Sequence, residues 1–224
     1  MTEEIKPQYR NFLFYAVSII AAFGLIIFLL SKPNSNGSEK KSTDSSDSAS
    51  VTSKKYNNPP EMKLDLTKKY QAILNTEKGP INIDLFTKET SVTVNNFVFL
   101  AGNGFYNNTV FHRVIKGFMI QGGDPLGTGA GGPGYKFNDE KIIREYKRGI
   151  VAMANSGPNT NGSQFFIMHQ DYNLPKSYVI FGQVTSGMDT VDKIAESEVT
   201  DSGNNEKSKP VSPVKIISID IKEE

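Results

Sequence analysis

An arginine and a glutamine stand out in the stretch FHRVIKGFMIQGGD, residues 111–124, which otherwise has the composition of two apolar strands joined by a turn. Side chains alternate between the two faces of a strand. Pairing across the turn would therefore bring Arg113 to the same face as Met119 and Gln121. The pattern predicts a cation and an amide beside an apolar side chain.

A second strand-like stretch extends this predicted surface. In GSQFFIMH, residues 162–169, Gln164 and Phe166 share one face and Phe165 lies on the other. The two stretches together predict a patch with one fixed cation, two amides and an apolar floor. No nucleophile, carboxylate pair or metal-ligand set lies beside it in the sequence. A surface ion pair is the ordinary explanation for an arginine in isolation.

Two more familiar patterns, a glycine-rich loop and a pair of histidines, do not predict a functional site. GTGAGG, residues 127–132, matches the pattern of dinucleotide-binding loops, which has force only between a strand and a helix. Pro125 precedes it and Pro133 follows, and the second proline would break the required helix. The two histidines, His112 and His169, are too few for a usual metal site. We therefore predict no nucleotide, metal or other cofactor, and expect His112 to be a hydrogen-bonded core residue.

Short strand-like runs dominate the second part of the chain. KYQAILNTEKGPINIDLF predicts a hairpin, and further strands are predicted at TVFHRVI, FMIQGG, GIVAMAN, SQFFIMH, YVIFGQV and KIISIDI. Helical spacing predicts one helix from Thr90 or Ser91 to Gly102 and a second at GMDTVDKIAES. About eight strands and two helices without regular alternation indicate a mainly β fold, an antiparallel barrel or sandwich rather than a doubly wound sheet.

The N-terminal region has a different composition. Residues 12–30, FLFYAVSIIAAFGLIIFLL, form an uncharged, largely apolar run behind a short tail of residues 1–11. Helical residues rise about 1.5 Å each, so this run would span roughly the 30 Å core of a bilayer, and we predict a single membrane anchor. A cleaved signal peptide is the alternative, but the run is longer than the usual signal core. Arg10 abuts the run, which favours a tail inside the cytoplasm and a domain outside it.

The rest of the chain divides at about residue 60. Residues 31–60 contain nine serines, mixed charges and few apolar residues, which predicts a disordered linker. Residues 61–224 form the predicted domain, in which 18 basic residues oppose 19 acidic ones, so the charge does not favour binding of nucleic acid. The chain has no cysteine, which excludes a disulfide framework.

Three sequence blocks resemble those of a known family. FHRVIKGFMIQGGD, VAMANSGPNTNGSQFFIMH and VIFGQV are similar to the signature blocks of cyclophilin-type peptidyl-prolyl cis-trans isomerases and occur in the same order. The resemblance covers roughly residues 65–222. It implies a closed eight-stranded antiparallel barrel capped by two α-helices, here behind a transmembrane helix and a linker. The chain thus resembles a bacterial-type, membrane-anchored cyclophilin.

The resemblance also implies the functional residues. Arg113 would be the catalytic residue, and the substrate groove would be formed by Phe118, Met119, Gln121, Ala154, Asn155, Gln164, Phe166 and Leu174. A regular strand would send Phe118 and Met119 to opposite faces, so the backbone must be irregular there. The chain has no tryptophan, and Asn173 stands where the best-known eukaryotic members carry one. Sensitivity to cyclosporin-type inhibitors is therefore not implied.

The implied reaction breaks no covalent bond. It rotates an X-Pro amide, whose barrier of about 18–20 kcal/mol comes from delocalisation of the nitrogen lone pair. We expect a monomeric foldase that acts on proline-containing polypeptides at the outer surface of the cell membrane. The alternative is a binding module or chaperone that holds proline-containing peptides in the same groove without turnover.

Overall fold

The computed structural model describes residues 54–203 and 205–224. The predicted tail, the apolar run at residues 12–30 and most of the predicted linker lie outside these residues. Within them, no helix has both the length and the apolar character needed to cross a bilayer.

The described chain is mainly β. Eleven strands and two helices follow one another as β1 (Tyr70–Thr76), β2 (Gly79–Leu85), α1 (Ser91–Gly102), β3 (Thr109–Val110), β4 (Arg113–Ile115), β5 (Met119–Gly122), β6 (Ile150–Met153), β7 (Phe165–Met168), β8 (Ile180–Ser186), α2 (Met188–Ala195), β9 (Val199–Asp201), β10 (Lys207–Pro210) and β11 (Lys215–Glu223). The predicted hairpin, both predicted helices and the six further predicted strands are all present, and β9 and β10 are additional.

Nine of the described strands form one antiparallel sheet. Their order is β3-β11-β1-β2-β8-β6-β7-β5-β4, and β9 and β10 pair separately as a hairpin. The expected closed eight-stranded barrel is thus corrected to a curled sheet of nine strands. The difference arises in the run TVFHRVI, which was expected to be one strand. Its first part pairs with β11 and its second part with β5.

This divided strand explains how the sheet curls. β3 and β4 are the two edge strands, yet they are joined directly through Phe111 and His112. The amide of Phe111 donates to the Val214 carbonyl at 3.0 Å, and the amide of His112 donates to the Gln121 carbonyl at 3.0 Å. One short segment therefore satisfies both edges, which would otherwise expose unpaired backbone groups.

The first helix is capped by a residue distant in sequence. Thr90 occupies the position before α1 but makes no capping hydrogen bond with its side chain. The carboxylate of Glu140 accepts hydrogen bonds from the amides of Val92 and Thr93, at 3.1 and 2.8 Å. An anion at a helix N-terminus satisfies free amides and complements the helix dipole.

The central strands β6 and β7 are buried on both faces. Every residue in these two strands is buried. Val151 and Ile167 belong to the main core, together with apolar residues of both helices, whereas Ala152 and Phe166 belong to a second apolar cluster on the opposite face. Strands buried on both faces read as continuous apolar runs, as GIVAMAN and SQFFIMH do.

The packed unit begins before residue 61, where the domain was expected to start. The ring of Tyr56 contacts that of Phe99 edge to face, with centroids 5.1 Å apart. Its backbone amide donates to the Pro133 carbonyl at 2.8 Å. The last residues of the predicted linker, from about Tyr56, are thus packed against the sheet domain.

A buried histidine fixes the turn between β4 and β5. His169 is 5 % exposed, and its Nδ1 accepts a hydrogen bond from the Gly117 amide at 2.9 Å. Its Nε2 lies 3.3 Å from a carboxylate oxygen of Asp192. Burial lowers the pKa of His169 from its ordinary value of 6.5, and the Asp192 carboxylate only partly opposes this shift. Burial also lowers the pKa of His112.

These histidines predict a loss of stability in mild acid. The unfolded chain binds protons on His112 and His169 more tightly than the folded chain does. Their contribution is therefore complete above the unfolded pKa of 6.5 and is lost as the pH falls through it towards the lower folded pKa values. The urea midpoint should fall between about pH 7.5 and pH 5.5. His169→Asn, whose amide oxygen replaces the Nδ1 acceptor, should flatten this dependence. A wild-type midpoint that is constant over this range would contradict the prediction.

Candidate functional site

The strand register brings the two predicted stretches together. β4 pairs with β5 so that Arg113 lies opposite Gln121, and β5 pairs with β7 so that Gln121 lies opposite Phe166. The three side chains therefore form a row across three neighbouring strands. The sequence pattern placed Arg113 and Gln121 on one face, and the structure has them in direct register.

The polar side chains of the site form one hydrogen-bonded series. Arg113 Nη1 donates to Gln121 Oε1 at 3.3 Å, and Gln121 Nε2 donates to Gln164 Oε1 at 3.0 Å. Gln164 Nε2 in turn donates to the carbonyls of Gly129 and Gly131, both at 2.9 Å. Each amide accepts from one side and donates to the other, so the two glutamines are fixed in orientation between Arg113 and the loop.

A buried aspartate holds this loop. Asp124 is completely buried, and its carboxylate accepts hydrogen bonds from four backbone amides at 2.6 to 3.1 Å, those of Leu126, Thr128, Gly129 and Gly131. A Cβ added at Gly131 would lie 1.9 Å from Asp124 Oδ1, so only glycine fits there. The glycines of GTGAGG thus fold around a carboxylate of this chain.

The apolar floor is the second apolar cluster. Met119 and Phe166 are 1 % and 5 % exposed, and Phe118, Ala154 and Leu174 pack against the same cluster while remaining partly exposed. These are the five apolar residues assigned to the groove by resemblance, and the structure brings them together beside Arg113 and Gln121. A partly exposed apolar surface of this kind fits a ring such as that of proline.

The turn before β5 explains how Phe118 and Met119 can contact the same cluster. Phe118 lies outside the strand, in the turn closed by its own amide and the Ile115 carbonyl at 3.0 Å. Strand alternation therefore does not apply to it. Its ring packs against that of Tyr172, with centroids 4.5 Å apart. Tyr172 is an aromatic residue beside Phe118 that the sequence did not identify.

A buried tyrosine fixes the loop that carries Leu174. Tyr146 is 1 % exposed, and its hydroxyl donates to the Tyr178 carbonyl at 2.9 Å and accepts from the Tyr178 amide at 3.1 Å. The Tyr178 ring stands edge to face on Phe166, at 5.6 Å. At the residue before Tyr178, Asn155 Nδ2 donates to the Ser177 carbonyl at 2.8 Å.

An open cleft of about 700 Å³ continues from the amide row. Its walls include Gln121, Ala154, Asn155, Gln164 and the loop of residues 129–136. The cleft is lined mainly by backbone and polar side chains, whereas the floor beside Arg113 is apolar. The site thus has a region for an apolar ring and an adjoining region for extended backbone.

The structure also gives Arg113 a partner that the sequence did not reveal. Glu206 Oε1 accepts from Arg113 Nε and Glu206 Oε2 accepts from Nη2, both at 2.8 Å. The residues are 93 positions apart in the chain. The sequence showed no carboxylate beside Arg113. In the structure, this arginine forms a bidentate ion pair with Glu206. The Arg113 hydrogen bond lowers the pKa of Glu206, and burial of the carboxylate opposes this shift.

His112 differs from its expected role. Its side chain is largely buried, but neither ring nitrogen meets a hydrogen-bond partner among the residues that the structure describes. It does not contribute to the series of polar side chains beside it, which begins at the next residue.

The curled antiparallel sheet, its two helices and the groove beside Arg113 together define a mainly β domain with an apolar floor next to a polar cleft. Residues 71–221 match the model of the family described as cyclophilin type peptidyl-prolyl cis-trans isomerase/CLD. The chain belongs to the cyclophilin family of peptidyl-prolyl cis-trans isomerases, and the predicted enzyme class is confirmed.

Several curated relatives are similar over the same region. The chain is 46 % identical over 155 residues to peptidyl-prolyl cis-trans isomerase-like 3 of Gallus gallus, which covers 66 % of this chain and 93 % of the relative. It is 47 % identical over 131 residues to peptidyl-prolyl cis-trans isomerase CYP18-1 of Arabidopsis thaliana, covering 56 % and 82 %. Both relatives are eukaryotic, so they do not support the expected bacterial type.

Solved structures agree with the fold. A cyclophilin type peptidyl-prolyl cis-trans isomerase of Cryptosporidium parvum superposes with a TM-score of 0.64 at 39 % identity and covers 69 % of this chain and 98 % of its own. The same protein was solved in the presence of the dipeptide Ala-Pro, with a TM-score of 0.63.

The contacts of Tyr146 predict a defect that affects the groove. Tyr146→Phe removes both hydroxyl hydrogen bonds of the Tyr178 backbone, and leaving buried polar groups without partners costs about 1–3 kcal/mol. We expect a lower unfolding free energy in urea and a higher KM for a proline peptide, because Leu174 lies on the released loop. Tyr70→Phe is the control, since its hydroxyl contacts the Asp65 amide at 3.1 Å and its ring lies in the main core. If both variants changed KM equally, the effect would not come from the groove loop.

Proposed function

We propose that the groove accelerates X-Pro isomerisation through Arg113, with Phe118, Met119, Phe166 and Leu174 holding the proline ring. The observation that carries this proposal is the fixed series Arg113, Gln121 and Gln164 beside that apolar floor. In the planar amide the nitrogen lone pair is delocalised into the carbonyl. When the bond twists, the nitrogen becomes pyramidal and can accept a hydrogen bond from the guanidinium.

A donor that acts only on the twisted amide stabilises the transition state more than the substrate. Arginine suits this role because it keeps its charge and presents its N–H groups in a rigid plane. Gln121, Asn155 and Gln164 would hold the peptide backbone, so that one side of the amide rotates against a fixed other side. No proton transfer and no covalent intermediate enters this mechanism. All of these groups lie in one chain, so the groove needs no second copy to complete it, and we propose that the protein acts as a monomer.

The mechanism predicts that Arg113 is essential for turnover. Arg113→Ala in the full-length chain should lower kcat/KM for a proline peptide roughly 100-fold or more, as expected for loss of a main transition-state donor. The measurement is a protease-coupled isomerisation assay at low temperature. Arg113→Lys keeps the charge but loses the planar fork, and we expect it to recover only a small part of the rate.

A control for folding accompanies this test. Arg113→Ala should leave the cooperative urea transition in place, because Arg113 lies at the partly exposed groove rather than in the core. Full activity of a folded Arg113→Ala protein would rule out the proposed mechanism.

A binding module without turnover would use the same residues. Such a module is favoured by one observation, that Glu206 engages two nitrogens of Arg113 in the absence of substrate. The two functions separate in cells that depend on this protein to fold an exported client. Rescue by wild type but not by Arg113→Lys that still binds proline peptides would favour the enzyme. Equal rescue by both would favour the binding module.

We further propose that the domain acts outside the cytoplasm, held at the cell membrane by the apolar run at residues 12–30. The length of this run and its freedom from charge support the proposal. The serine-rich residues 31–53 that follow would give the domain reach over the membrane surface. Its clients would then be exported polypeptides that meet the enzyme as they fold.

This location predicts the behaviour of a reporter at the C-terminus. Alkaline phosphatase, which is active only outside the cytoplasm of bacteria, should be active when fused after Glu224, and a cytoplasm-specific fluorescent reporter should be dark. The matched control deletes residues 12–30 and should reverse both signals. A cytoplasmic signal from the full-length fusion would exclude the proposed orientation.

A further inference from the structure

The hairpin of β9 and β10 reaches the groove through Glu206. β10 packs against β4, and the Ser202 amide donates to the Glu206 carbonyl at 2.9 Å at the base of the turn. Alternation along β10 points Ser208 and Pro210 inward, where both are buried, and leaves Lys207 and Lys209 exposed. Glu206 continues the inward series, so its carboxylate is aimed at β4.

The way in which Glu206 engages Arg113 leaves the reactive end of the guanidinium available. A guanidinium has five N–H donors. Glu206 takes Nε–H and one N–H of Nη2, and Gln121 takes one N–H of Nη1. Each terminal nitrogen therefore keeps one N–H that no described residue accepts. The contact fixes the side edge of the planar fork and leaves donors for a substrate nitrogen.

The pair is also sheltered. The side chains of Arg113 and Glu206 are 32 % and 22 % exposed, whereas the other Lys and Arg ion pairs among the described residues are more open on at least one side. A bidentate carboxylate contact is geometrically stricter than a single hydrogen bond. With Gln121 on the opposite side, it leaves the long arginine side chain little freedom to leave the groove.

We propose that Glu206 is a positioning residue, which holds the Arg113 guanidinium in the orientation required to donate to the twisted prolyl amide. This proposal rests on the proposed role of Arg113 and adds to the groove a residue of the hairpin. The orientation of the donor affects the reaction rate, because a small misplacement removes most of its effect at the transition state. The carboxylate does not touch the substrate amide in this arrangement and acts only through Arg113.

The test separates kcat from KM in the full-length chain. Glu206→Gln keeps the size of the side chain but presents an amide N–H₂ to one Arg113 nitrogen, so the bidentate contact is lost. We expect kcat to fall roughly 10-fold with KM changed by less than about twofold, since the apolar floor is intact. Glu206→Asp keeps the carboxylate and should recover part of the rate. Glu198→Gln, the same charge change at an exposed site just before β9, should match wild type.

A double-mutant cycle shows whether Glu206 acts through Arg113. In the Arg113→Lys background the planar fork is gone, so adding Glu206→Gln should lower kcat by less than twofold, which makes the two changes strongly non-additive. A full 10-fold loss in that background would overturn the proposal. Unfolding in urea is followed for every variant, and a loss of rate that tracked stability instead of the Arg113 background would also overturn it.

The remaining outcomes are equally decisive. If Arg113→Ala abolished activity while Glu206→Gln matched wild type, the proposed function would stand and the positioning role would fall. A rise in kcat/KM for Glu206→Gln would show that Glu206 competes with substrate for Arg113, which contradicts positioning. If Arg113→Ala were fully active, the proposed function itself would fall.

Discussion

The orientation of one guanidinium is the constraint to which the rest of the groove conforms. Arg113 is held on one side by the carboxylate of Glu206 and on the other by Gln121. Gln121 is fixed by Gln164, and Gln164 by two carbonyls of a loop that Asp124 folds around its own carboxylate. A solvent-exposed arginine samples many rotamers, and ordering it costs conformational entropy. Here the contacts with Glu206 and Gln121 already order Arg113 in the folded chain, so this entropy is not lost when substrate binds.

The apolar half of the groove depends on strands that have no solvent face. β6 and β7 alternate between the main core and the second apolar cluster, so the floor beneath the proline-binding region is the outer side of the same strands that build the core. A surface of this kind is rigid, because moving Phe166 or Met119 would disturb close-packed neighbours. Phe118, Leu174 and Tyr172 at its margin lie on turns and loops, where side chains can be partly exposed.

Sequence patterns predicted the parts of the fold that depend on neighbours in the chain. The hairpin of β1 and β2, the span of α1 and the pairing of Arg113 with Gln121 follow from alternation, helical spacing and short turns. Contacts between distant segments were not accessible in this way. The pairing of β3 with β11, the Glu140 cap on α1 and the Glu206 contact each join segments that are more than about 40 residues apart. Nothing in the local composition of GNNEKSKP indicates that its glutamate, Glu206, contacts Arg113 of β4.

Contacts between distant segments also affect the order in which the site forms during folding. Arg113 and Glu206 are 93 residues apart, and β3 completes its pairing only with β11, the last strand of the chain. Contacts of such high sequence separation are entropically costly to close and tend to be late in folding. We therefore expect the groove floor to form when β5, β6 and β7 pair, and the guanidinium to be fixed later, when the hairpin of β9 and β10 packs on β4. A partly folded chain would thus present an apolar surface able to hold a proline ring while lacking an oriented donor. On the proposed mechanism, such a chain would bind proline peptides before it could catalyse their isomerisation.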